Sequence, residues 1–214
     1  MNRTKIEWAD YTWNPIKGLC PQACWYCYAR RIYQRFKLDP KPWLDIAELN
    51  MTLHTKRTAA RVFVCSTFEL FSPVADGQMR DCIFDVIQRR PDLTFIILTK
   101  RPERIDRAMP DNVWLGVSVT GEKDDWRIKE LKNHQAAVRF VSLEPFLGLF
   151  PKEEIGWLNW FIIGRLTGNG YRHNPARATL GEIRAKIQRL GVPLFEKNNL
   201  EGIWGDPLIQ EYPK

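Results

Sequence analysis

The stretch TFIILTKRPERIDRAMPDNVWLGVSVT, residues 94–120, holds two short apolar runs separated by a charged segment. TFIILT (94–99) and VWLGVSV (113–119) are brief and rich in β-branched or aromatic residues, as strands buried on both faces of a parallel sheet are. Working outward, the same kind of run recurs as RVFVCS (61–66), AVRFVS (137–142), WFIIG (160–164) and VPLFEK (192–197). Residues 11–17 can form a first strand that leads into a loop with three cysteines. Helical spacing follows that loop from Ala29 to Phe36 and returns near 77–90, 102–109, 122–134 and 175–190. Residues 37–57 show two Pro-flanked turns and little periodicity.

Strands alternating with helices imply a parallel sheet with right-handed crossovers. Six or seven such units are too few for a closed eight-unit barrel, which takes about 250 residues. The expected fold is therefore α/β, a partial (open) β/α barrel of about six or seven parallel strands, forming a single domain over 1–214. A doubly wound sheet is the alternative. In both, chemistry gathers at the C-terminal ends of the strands.

The chain has 214 residues, 44% apolar and 27% charged, the balance of an ordinary globular protein. No apolar run approaches the roughly 18 residues that cross a bilayer, and the opening MNRTKIEWAD has no apolar stretch for a signal peptide. The expectation is a cytoplasmic protein with no membrane partner. A formal charge of +7 permits a polyanionic partner, DNA, RNA or a nucleotide, and is equally compatible with a modestly basic solvated surface.

Three of the five cysteines crowd into Cys20-Pro-Gln-Ala-Cys24-Trp-Tyr-Cys27, an odd and clustered arrangement unlike a disulfide framework. Three thiolates can hold three irons of a [4Fe–4S] cluster, which ordinarily takes four. The fourth iron is then open to the amine and carboxylate of an amino acid, the way S-adenosyl-L-methionine is chelated when a reduced cluster cleaves it. Trp25, Tyr26 and Tyr28 are placed to shield such a cluster from water, with Tyr26 as a cofactor contact. The alternative is a zinc-stabilised nucleic-acid-binding module without catalysis. It needs a fourth ligand from Cys65, Cys82 or one of His54, His134 and His173, and no second short hook of ligands is present. Cys65 and Cys82 read as buried apolar fillers.

The three-cysteine motif resembles the radical SAM superfamily. Lys5-Ile6-Glu7-Trp8, Thr12-Trp13-Asn14-Pro15, Gly18 and Cys27-Tyr28-Ala29 are similar to the phage Gp37/Gp68-like (DUF5131) family. So are Leu98-Thr99-Lys100-Arg101-Pro102, Trp114-Leu115-Gly116-Val117-Ser118-Val119 and Arg139-Phe140-Val141-Ser142-Leu143-Glu144-Pro145, so the resemblance covers nearly the whole chain. It implies a radical-SAM-like partial barrel, metal ligation by Cys20, Cys24 and Cys27, and an electron donor such as flavodoxin or ferredoxin. The substrate is open, and a partner protein is a further expectation because the short chain has no added recognition domain.

The resemblance also suggests Ser66, Thr67 or Glu69 for the methionyl amine and Ser118 or Thr120 for the ribose. Glu69 reads equally well as a surface or capping carboxylate. Lys100 or Arg101 can pair with a carboxylate or phosphate, or be solvated. Ser142 and Glu144 end the fifth strand, where Glu144 can accept a proton or orient substrate. Arg165 can bind an anion or balance Glu144, and Lys197 and Asn198 end the last strand. Asn14 reads chiefly as a turn opener before Pro15, with a hydrogen-bonding tie to the cysteine loop as the other reading. Many relatives have Gly-Gly-Glu-Ser-Gly where this chain has Gly164-Arg165-Leu166-Thr167-Gly168, a cation in place of an acid.

Overall fold

The computed structural model describes residues 1–167, 170–205 and 207–213. It is a mixed α/β structure of two compact units, Met1–Trp114 and Leu115–Lys214.

The first unit opens with β1 (Asn2–Arg3), β2 (Tyr11–Trp13) and β3 (Ile16–Lys17), then α1 (Tyr28–Phe36), β4 (Trp43–Leu44) and α2 (Ile46–Leu53). It continues with β5 (Arg61–Val64), α3 (Gly77–Gln88) and β6 (Thr94–Thr99), and ends at the start of β7 (Val113–Val119). Its strands run in the order β1-β2-β5-β6. The pairs β2·β5 and β5·β6 are parallel, with Trp13 opposite Val64 and Val64 opposite Ile97, and β1 is antiparallel to β2. Val62, Val64, Phe95, Ile96 and Ile97 are buried, as a parallel sheet covered on both faces requires. Trp13, fully buried, lies with its ring 5.6 Å from Phe95. Each such ring removed from water contributes about 1.5–3 kcal/mol.

The second unit takes up the rest of β7, then α4 (Asp125–Leu131), β8 (Val138–Leu143), β9 (Trp160–Ile163), α5 (Arg177–Arg189), β10 (Leu194–Glu196) and α6 (Glu201–Trp204). β8, β9 and β10 are parallel neighbours. Phe140, Trp160 and Phe195 are buried with centroids 5.4 and 6.0 Å apart along the series. Gly116 is obligatory here, because a Cβ would lie 2.4 Å from the Phe140 ring.

Every apolar run from the sequence is a strand, but several boundaries differ. The first strand breaks after Trp13. Pro15 offers no N–H to a ladder, and Ile16–Lys17 turn away to pair antiparallel with β4. The run 61–66 stops at Val64, because Cys65 has φ +54°. Residues 37–57 contain α2, nucleated by Asp45, whose side chain accepts from the N–H of Glu48. The helix expected over 102–109 is only a 3₁₀ turn, Pro102–Arg104. Beyond it, ion pairs tie the chain to α3: Asp106 to Arg80 at 2.6 Å and Arg107 to Asp81 at 3.0 Å. Cys65 is buried as expected, whereas Cys82 is exposed on α3. Among the described residues no helix is long and apolar enough to cross a membrane.

Candidate functional site

In the first unit the chain leaves β3 through Gly18, whose φ of +104° only glycine adopts easily. A Cβ there would meet the Pro42 Cα at 2.6 Å and the Lys41 carbonyl at 2.7 Å. The Gly18 N–H donates to the Tyr33 hydroxyl at 2.7 Å, and that of Leu19 to the Pro40 carbonyl at 2.9 Å. The loop is thus clamped between α1 and the segment before β4. It bends again at Ala23, φ +52°, and closes with the Cys27 N–H donating to the Cys24 carbonyl at 3.1 Å. Cys27 is the N-cap of α1, and Arg30 from that helix braces the Cys20 carbonyl at 3.3 Å.

Cys20, Cys24 and Cys27 are free thiols, half-buried, and line one small pocket of about 20 Å³ together with Gly18, Arg30 and Thr67. Burial pushes the Cys20 thiol pKa up, while the N–H groups of Gln22 and Glu69 pull it down by hydrogen bonding the sulfur. Among the described residues no three His, Cys, Asp or Glu side chains gather as they would around one metal ion. A cube takes each thiolate on a separate iron, so its thiols surround a common pocket rather than meet at a point. These three share one pocket, which would have to widen to admit a cube because it is about the size of a single water. Cys65 is buried and does not line this pocket, and burial pushes its thiol up to about 12.

The corner after β5 abuts this pocket. The Asn14 side-chain oxygen accepts from the Ser66 hydroxyl at 3.1 Å, the Thr67 N–H at 3.2 Å and the Thr67 hydroxyl at 3.3 Å. Asn14 therefore ties down this corner; it neither opens a turn nor holds the cysteine loop. Pairing of Trp13 with Val64 puts the residues after each strand side by side, which is why the three meet.

Glu69 is buried, 6% exposed, and so is no surface carboxylate. It accepts from the Thr99 hydroxyl at 2.5 Å and from the N–H groups of Lys100, at 2.8 Å, and Phe71, at 3.3 Å. It holds the ends of β5 and β6 together, and its backbone N–H serves Cys20. Lys100 is half-buried at the exit of β6, and Arg101 pairs with Glu103 at 3.5 Å. Tyr26 is half-buried, but Trp25 and Tyr28 are 66% and 51% exposed and do not form the expected shield.

The second unit has its own polar cluster at strand C-termini. Leu143 and Glu196 both stand opposite Ile163, so Glu144, Gly164 and Lys197 follow abreast. Lys197 Nζ lies 2.7 Å from Glu144 Oε1, with both side chains under one-fifth exposed. The buried Ser142 hydroxyl donates to Glu144 Oε2 at 3.2 Å. Gly164 leaves room for this pair, since a Cβ would meet Lys197 Cδ at 2.9 Å and Glu144 Oε1 at 3.0 Å.

Lys197, and not Arg165, is thus the ion-pair partner of Glu144. Arg165 turns instead to Asn199: its Nε donates to the Asn199 carbonyl, and the Asn199 amide returns a bond to the Arg165 carbonyl at 2.9 Å. Ser118 is buried, its hydroxyl 3.4 Å from the Glu144 carbonyl. Thr120 donates through both N–H and hydroxyl to Asp124 at 2.8 Å, which closes the turn after β7. The Glu144–Pro145 bond is cis. Gly168 of the Gly164–Gly168 string lies outside the described residues.

Sequence reasoning left Lys197, Thr99 and Tyr33 without these roles. Lys197 stands directly after an apolar run, as Lys100 does, and that was the available signal.

No curated protein and no solved structure matches this chain. The sequence profile described as "Protein of unknown function (DUF5131)" matches residues 3–209, and the chain accordingly belongs to that family.

Proposed function

We propose that the protein is a radical SAM enzyme, with Cys20, Cys24 and Cys27 as ligands of a [4Fe–4S] cluster. The observation that carries this reading is that all three thiols of the C-x3-C-x2-C loop line one pocket, beside a polar corner at a strand exit. Cys20, Cys24 and Cys27 would hold such a cluster, which would supply one-electron reductive cleavage of bound S-adenosylmethionine, with the electron coming from a flavodoxin- or ferredoxin-class donor.

The protein's own part is to hold and tune. Gly18 and Tyr33 fix the loop, and N–H groups of Gln22 and Glu69 stabilise the Cys20 thiolate, a contact type that adjusts cluster potential. Thr67, on the pocket wall, is a polar group available to the amino-acid end of the cofactor. In the second unit Glu144, paired with Lys197, is a carboxylate held ready for substrate orientation or proton transfer. The same reading takes the β/α alternation as the open barrel expected from the sequence, and the parallel pairing within each unit supports it.

The test is formation of 5′-deoxyadenosine by the anaerobically reconstituted, reduced protein. The expected result is product that requires S-adenosylmethionine and disappears in Cys24→Ala. A reconstituted, reducible protein that forms none refutes the reading.

A further inference from the structure

α1 is more exposed than a helix that serves only the core. Ala29 is its buried residue. Tyr28, Ile32 and Phe36 follow at i, i+4 and i+8, along one face, and are 51%, 42% and 61% exposed. Leu38 extends the apolar strip past the helix end at 46% exposure. The rest of the helix is cationic, with Arg30, Arg31 and Arg35, then Lys37, and it contains no acidic residue. Residues 17–43 carry six Lys or Arg against the single carboxylate of Asp39. Much of the chain's formal charge of +7 therefore sits around the cysteine loop.

The complement of such a face is flat, apolar and anionic at once. A second copy packed α1 to α1 would bring arginines against arginines, which like-charge repulsion opposes. Unpaired bases joined by phosphates meet the requirement: aromatic side chains take the bases and cations track the backbone. The Arg35 guanidinium already sits 5.5 Å from the Phe36 ring centroid, an arrangement that adds a cation to a stacking platform. Tyr28 and Phe36 are about 12 Å apart along the helix axis, about three steps at the ~3.4 Å spacing of stacked nucleotides. A duplex hides its base faces and offers no such fit.

We infer that α1 and its flanks are a docking face for single-stranded nucleic acid, with bases on Tyr28 and Phe36 and phosphates on Arg31, Arg35 and Lys37. Its consequence rests on the proposed function: Cys27 caps the start of α1, so a strand held there is delivered to the cysteine pocket, and a nucleotide is the substrate class.

The experiment is fluorescence anisotropy with the full, anaerobically reconstituted chain and labelled oligo-dT, oligo-U and duplex probes of about 15 residues. Both single strands or one of them should bind more tightly than duplex. Three phosphate contacts give a log–log salt slope of about −2, close to a twentyfold loss between about 50 and about 200 mM salt. Phe36→Ala should weaken binding on the order of tenfold. Arg35→Gln should flatten the slope by about 0.7. Both residues are exposed, so circular dichroism should be unchanged.

Equal affinity for duplex, indifference to Phe36→Ala, preference for anionic vesicles, or a dimer that Phe36→Ala dissociates would each overturn the inference. Cys24→Ala should still bind the strands, which supports the docking face whether or not 5′-deoxyadenosine forms in the intact protein.

Discussion

Gly18→Ala isolates the geometry of the cysteine loop, because it adds one methyl group and changes no charge. At φ +104° an L-residue is strained by about 1–3 kcal/mol. The new Cβ would also lie 2.6 Å from Pro42 Cα and 2.7 Å from the Lys41 carbonyl oxygen, both backbone atoms that cannot rotate away. Overpacking of that kind adds about 1–3 kcal/mol. The expected loss is roughly 2–6 kcal/mol, or a relaxation that moves the loop off the Tyr33 hydroxyl and Pro40 carbonyl. Urea denaturation measures the first, and iron uptake on reconstitution measures the second. Gly77→Ala is the control: it has φ in the ordinary range and nothing within 4 Å of an added Cβ, so it should be neutral or slightly stabilising. A Gly18→Ala variant as stable as Gly77→Ala, with normal iron uptake, would refute the clamped-loop account.

Other outcomes follow from the same structure. Gly116→Ala, which drives a Cβ into the Phe140 ring, should destabilise by at least about 1–3 kcal/mol in thermal melts. Glu144→Gln leaves Lys197 without its carboxylate; with both side chains under one-fifth exposed, the loss should be about 1–3 kcal/mol, less than for a fully buried pair, and a double-mutant cycle with Lys197→Met should recover most of it. The Arg90 hydrogen bonds at Asp92, and those of Arg61 at Asp10, hold both carboxyls below the usual carboxylate range. Their contribution is complete above the pKa of an unfolded-chain aspartate and is lost as pH falls through the depressed folded pKa, so Asp92→Asn should lower stability at pH 7 by up to ~1 kcal/mol and flatten the acid limb of the stability curve. Alkylation of the native protein near pH 8 should label exposed Cys82 and spare Cys65, whose burial holds its thiol at about 12.

The strands at 94–99 and 113–119 matched their sequence runs to the residue, because the runs are too short for a buried helix, are rich in β-branched and aromatic residues, and are bounded by a charged, Pro-containing segment. The cysteine loop was equally legible: neighbours in sequence remained neighbours around one pocket. Pairings set by register were not. Glu144 finds Lys197, and Asn14 finds Ser66 and Thr67, only once the parallel ladders are aligned. α2 was masked by the prolines before it, although Asp45-x-x-Glu48 is a recognisable N-terminal signal. Residues 102–109 had helical spacing, but their ion pairs to α3 prevailed. Trp25 and Tyr28 misled because an aromatic residue next to a ligand suggests shielding, whereas the cysteine loop presents Trp25 outward and the first turn of α1 does the same with Tyr28.

The most direct measurement of the central claim is iron and labile sulfide per chain after anaerobic reconstitution, with zinc measured on the protein as purified without oxygen. The account predicts about four irons per chain, abolished by Cys24→Ala. No iron uptake, or about one zinc per chain in its place, would contradict it.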